Sequence, residues 1–136
     1  TTDGHVGVAA AAIIDNERVI LFDPRAIEGL EERTGSPWAF RMVIAHEVAH
    51  HLAGHTIDIG HHRHQEIECD LYAGGAIYRM GGTLEDAASF FVAYADLPLS
   101  SSHPAGRERI LYTALGWQLA ACRDDPSHCD PQELTR

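Results

Sequence analysis

Hydrophobic and polar positions follow two different rhythms along the chain. From Val6 to Ile14 and again from Arg18 to Phe22, short apolar runs of strand length flank Asp15, Asn16 and Glu17, a polar cluster with turn chemistry, so an N-terminal β-hairpin is expected. Beyond Phe22 the period lengthens to that of helices. Asp23-Pro24 supplies an N-cap followed by proline at the first helical position, predicting a helix to about Thr34 that Gly35 stops. Ser36-Pro37 repeats the device ahead of a helix running to about Gly54. In it Phe40, Ile44, Val48 and Leu52 recur at spacing four and are expected to form the core face. A polar loop from His55 to His64 leads to a third helix from about Gln65 to Met80, closed by Gly81-Gly82. Thr83 and Asp86, at capping-box spacing, open a fourth helix over Leu84 to Ala95, which Leu97-Pro98 ends. Ser102 before Pro104 caps a last helix reaching about Ala121. The expectation is a single α+β domain over 1–136, five helices and one small hairpin, with its core from about 6 to 121 and a loose tail over 122–136.

Length and composition narrow this picture. At 136 residues the chain can bury one ordinary core and no second. Apolar residues at 45% and charged residues at 22% match a globular domain, which excludes wholesale disorder and fibrous repeats. The longest apolar run, around Val8 to Ile14, is far short of the roughly 18 to 20 residues of a bilayer span. Acidic residues outnumber basic ones by 20 to 10, all ten being Arg, and the net charge of -10 disfavours nucleic acid or an anionic membrane as partner. Of the three cysteines, Cys122 and Cys129 lie across a polar loop with Pro126 and are expected to form a bridge, and Cys69 sits in an apolar stretch as a buried free thiol. A bridge implies an oxidising compartment, so a periplasmic or secreted location is expected, with the cytoplasm as alternative. The start at Thr1, with neither Met nor a signal peptide, reads as a processed product or a trimmed chain.

Histidine is the outlier, with ten in the chain and seven of them between His46 and His64. On the second predicted helix, His46-Glu47-Val48-Ala49-His50 places two imidazoles one turn apart on one face, with a carboxylate beside the first. Two such ligands can share one zinc, and Glu47 can take a proton from a water at the metal and pass it to a leaving amine. Such a pattern arises by chance roughly 0.05 times in a chain of this composition, so it needs support. Glu66 and Asp70 provide it: spaced i and i+4 at the start of the next helix, they allow Glu66 to ligate while Asp70 reaches back to a ligand imidazole and fixes its tautomer. A histidine as third ligand fits less well. The longer zincin motif would need Gly and His where Ala53 and Thr56 stand, and Gly54 and His55 miss that register by one. His51 points about 100° away from His50. His61, His62 and His64 read as a solvated loop, with an accessory metal site as the alternative.

These motifs, with His55 trailing the pair and Ser101-Ser102-His103-Pro104 followed by Arg109-Ile110, occur in the order found in the gluzincin metallopeptidases. The chain most resembles the CAAX prenyl protease and HtpX-like family over about Val19 to Trp117. The resemblance implies a zincin-like fold holding one Zn2+ per chain on His46, His50 and Glu66, with Glu47 as general base. It further implies supporting roles for Asp70 and Arg109, and places His103 near the metal as a catalytic or regulatory group. Three departures stand out: a short interval between His50 and Glu66, Cys69 in place of the family's Ala, and no membrane segment, which speaks against the prenylated or membrane-embedded substrates of the family's integral members. The short interval and small size are also similar to the IrrE-like regulatory metallopeptidases.

The expected function is therefore a zinc-dependent endopeptidase acting on extended or unfolded protein segments, with the peptide lying beside the Arg18 to Phe22 strand. The alternatives are a latent metal-containing binding or chaperone-like module and a structural zinc domain. His103 has two possible roles with opposite effects, an oxyanion donor or a fourth zinc ligand that holds the enzyme latent, and the latter is favoured because no propeptide is evident. Protein or peptide substrate is the only partner expected; nothing in the sequence speaks to oligomeric state.

Overall fold

Two consecutive left-handed residues, Asp15 (φ 52) and Asn16 (φ 65), make the turn whose twist matches an antiparallel pair of strands. Strand β1 (Ala9–Ile14) and strand β2 (Glu17–Phe22) pair on either side of it, Ala9 opposite Phe22 and Ile14 opposite Glu17. The chain is described by a computed structural model over residues 9–55, 63–94 and 105–129. Helix α1 (Pro24–Thr34) begins where the Asp23 carboxylate accepts the Arg25 N–H at 2.9 Å, and ends at Gly35, whose φ of 65 lets its N–H reach the Glu31 carbonyl. Helix α2 (Trp38–Leu52) starts under the Ser36 hydroxyl, which accepts the Trp38 N–H at 3.1 Å. Helix α3 (Arg63–Arg79) is followed by α4 (Leu84–Ala93), where the Thr83–Asp86 capping box forms in both directions at 3.1 and 2.9 Å. Helix α5 spans Gly106–Asp124. The expected α+β order of one hairpin and five helices is thus present, and the expected Ser102 cap lies outside the described residues.

Two expectations are corrected. The row at spacing four on α2 is not its core face: Phe40, Ile44 and Val48 are half-buried and Leu52 is 67% exposed, whereas Ala39, Met42, Val43, Ala45, His46, Ala49 and His50 are buried. Because α2 is apolar around most of its circumference, periodicity cannot choose the face, and packing selects the side whose small alanines admit close neighbours. The tail is also shorter than expected. α5 continues to Asp124, and the Cys122–Cys129 disulfide closes a 3-10 turn (Pro126–Cys129) back onto it, with the His128 ring edge-on to Trp117 at 5.7 Å.

The core is built where α1, α2, α3 and α4 meet, from Leu30, Met42, Val43, Ala73, Ile77, Ala87 and Phe91. α3 and α5 cross almost backbone to backbone. A Cβ added at Gly74 would lie 1.9 Å from the Thr113 carbonyl oxygen, and one at Gly116 would lie 1.9 Å from that of Leu71. Gly116→Ala is therefore expected to lower stability by about 3 kcal/mol through overpacking against main chain that cannot yield. Gly29→Ala, inside α1 with nothing within 4 Å of the new methyl, should raise it by about 0.4 to 1 kcal/mol. Urea unfolding of the two variants checks both; equal and small effects would mean that the helices do not cross this closely.

Candidate metal centre

Helical spacing assembles the site from three helices. His46 and His50, one turn apart on the buried face of α2, face α3, which presents Glu66, Cys69 and Asp70 at i, i+3 and i+4. Among the described residues, His46, His50 and Cys69 form a buried group whose ligand-type atoms all lie within 4.8 Å of one another and can hold a metal ion. Glu66 joins them, its Oε2 lying 2.7 Å from His46 Nε2 and 3.4 Å from His50 Nε2. Behind His46, its Nδ1–H donates to Asp70 Oδ1 at 2.8 Å. Asp70 is fully buried, and Arg109 of α5 donates to both its oxygens, from Nε at 2.8 Å and from Nη2 at 2.9 Å. The guanidinium lies over the Phe91 ring, 4.3 Å from its centroid, and within 3.6 Å of Glu66. Arg109, Asp70, His46 and Glu66 thus form one line of alternating charge.

Burial opposes charge on His46, yet hydrogen bonds to Asp70 and Glu66 and the charges of both carboxylates outweigh it, raising the imidazole from its ordinary 6.5 to about 10. Burial pushes the Cys69 thiol well above its ordinary value, and Glu66, Asp70, Glu47 and Glu68 push the same way. Arg109 is held charged against burial by Asp70 and Glu66.

The hairpin is fastened to α2 at the same place. The Ala11 N–H of β1 donates to Glu47 Oε1 at 2.9 Å. On the other strand, the His51 Nε2–H donates to the Val19 carbonyl at 2.7 Å, and the Arg18 guanidinium donates to the His51 carbonyl. Glu47 is therefore bonded to β1 rather than to the Arg18 to Phe22 strand expected to border the peptide.

Six expected site residues, His46, Glu47, His50, Glu66, Asp70 and Arg109, converge. His103, His61 and His62 lie outside the described residues, and His64 is exposed in the first turn of α3. Three residues with defined contacts here were not assigned to the site from sequence. His51 anchors β2. His55 brings its Nδ1 to 3.1 Å from His50 Nδ1 and its Nε2 to 3.4 Å from Glu68. Cys69 Sγ is 3.6 Å from His55 Nδ1. His55 follows the turn after α2, where Gly54 takes a φ of 77, so no helical periodicity could have aimed it. Comparison with models of known families, with curated proteins and with solved structures finds no match.

Two outcomes follow from the charge line. Arg109→Leu strands Asp70 as a buried charge and should cost about 3 to 5 kcal/mol in a thermal or urea melt. For protein stripped of metal by a chelator, the raised His46 contributes stability in full below pH 6.5 and loses it as pH climbs toward 10. Its melting temperature should fall steadily between pH 6.5 and 9, before a thiol ordinarily at 9.0 begins to weigh. With metal bound to a neutral His46 that slope should flatten; identical slopes would remove His46 from the ligand set.

Proposed function

We propose that the chain is a zinc-dependent endopeptidase of gluzincin type, with a zincin-like fold. The observation that carries the reading is the reach of one Glu66 oxygen to both His46 Nε2 and His50 Nε2, at 2.7 and 3.4 Å, while Asp70 holds the other nitrogen of His46. Ligands on a tetrahedral zinc with bonds of about 2.0 to 2.1 Å stand about 3.3 Å apart, so small side-chain shifts fit this donor set to the ion. Bound there, zinc would polarise a peptide carbonyl and acidify a water. His46, His50 and Glu66 hold it, and Asp70, itself fixed by Arg109, keeps the His46 ring in one tautomer.

Glu47 follows His46 on α2 and projects to the side of the ligand pair, where the Ala11 N–H meets its carboxylate, so it is left out of the ligand set. It takes the proton of the attacking water and delivers it to the departing amine. The hydrogen bond from Ala11 supports a placement for an extended substrate along β1. An N–H turned toward Glu47 points away from β2, so this edge of β1 faces the site, and an extended peptide pairing with it would take over the Ala11 N–H and release the Glu47 carboxylate. No helix among the described residues is long and apolar enough to cross a membrane. The Cys122–Cys129 bridge supports a periplasmic or secreted setting for the enzyme.

Glu47→Gln should keep fold and zinc content and lower cleavage of an unfolded protein by about 100- to 10,000-fold, because proton transfer is removed and the ligands are left intact. Glu66→Ala should lose most of the zinc. Undiminished cleavage by Glu47→Gln would refute the peptidase reading, and full zinc retention by Glu66→Ala would refute the ligand set; metal analysis and a gel-based cleavage assay decide.

A further inference from the structure

We propose that Cys69 is a fourth, displaceable ligand of the metal, so that the resting site is closed by His46, His50, Glu66 and Cys69. This rests on the metal reading above and goes beyond it, since a hydrolytic site with three protein ligands and an open position has no need of a thiol. Cys69 lies one helical turn after Glu66 on the same face of α3, and it is fully buried against the two ligand histidines. Its ligand atom falls within 4.8 Å of theirs. On a tetrahedral zinc with bonds of about 2.1 Å to nitrogen and 2.3 Å to sulfur, the corresponding separation is about 3.6 Å. Closing the difference takes a shift of about 1 Å at the end of a side chain that turns on one bond. The contact it would give up, to His55 Nδ1 at 3.6 Å, is a thiol hydrogen bond and so a weak one.

Ligation forms a metal–sulfur bond and releases the thiol proton to solvent. The sulfur would then take the position that a water must occupy for hydrolysis; return of a proton from solvent would break the metal–sulfur bond, and rotation of the thiol toward His55 would admit a water in its place. A soft thiolate beside two imidazoles and a carboxylate also selects zinc over the harder magnesium and manganese. Regulation of the proposed peptidase would thus reside in a residue of its own metal shell.

The test uses the full chain loaded with cobalt(II) in place of zinc. Cys122 and Cys129 are bridged, so a thiolate-to-cobalt charge-transfer band in the near ultraviolet can come from Cys69 alone. One equivalent of cobalt with that band in the wild type, and one equivalent without it in Cys69→Ser, is the expected result. X-ray absorption of the zinc form should likewise show a sulfur neighbour at about 2.3 Å in the wild type. These wild-type spectra decide the matter even if the variant folds poorly. Stoichiometric cobalt without the band, or a band that survives Cys69→Ser, overturns the assignment of Cys69 and leaves the zinc site standing. A wild-type chain that binds neither metal overturns both readings.

Discussion

The Asp70 carboxylate, out of contact with solvent where three helices meet, is the constraint around which the rest of the molecule is arranged. An ionised carboxylate at such a depth is tolerable only with a full set of partners. Arg109 supplies a two-pronged one from α5, and His46 supplies the other from α2. The guanidinium can reach because α5 lies unusually close to α3, a closeness that depends on Gly74 and Gly116 lacking side chains. Phe91 of α4 backs the arginine, so four helices contribute to satisfying one buried charge. The orientation of His46 is a by-product of that arrangement, and with it the geometry available to a metal.

Much of this was legible in the chain because the signals were local. Asp23-Pro24 with Gly35, and Thr83 with Asp86, announce helix ends through bonds spanning two to four residues, and the structure contains those bonds. His46 with His50, and Glu66 with Asp70, were readable for the same reason, since spacing of four on a helix brings two side chains to one face. What failed needed tertiary information. The buried side of α2 could not be chosen from a helix apolar nearly all round, and Arg109 entered only through family resemblance. Cys69 read as a buried apolar thiol, as the structure has it, yet its nearness to His46 and His50 depends on how α2 and α3 meet.

The hairpin has little core of its own and is held by polar links at two positions of α2 one helical turn apart. Ala11 engages Glu47, and Arg18 and Val19 engage His51. Its placement is thereby tied to the helix that carries the two histidines. Ala10 is buried, Ala9 packs against the core and Phe22 meets the Phe40 ring at 6.4 Å, whereas Ile13, Ile14 and Leu21 remain exposed, so hydrogen bonds and a thin apolar contact share the attachment.

The crossing of α3 and α5 at two glycines has a mechanical consequence. Helices in main-chain contact have no side-chain layer to deform, so they move as one rigid body. Glu66, Cys69, Asp70 and Arg109 all belong to that body, while Glu47 and the histidine pair belong to α2. A change in donor spacing would therefore have to come from movement of α2 against the α3–α5 pair, carrying both imidazoles and the attached hairpin together and working against the His46–Asp70 hydrogen bond.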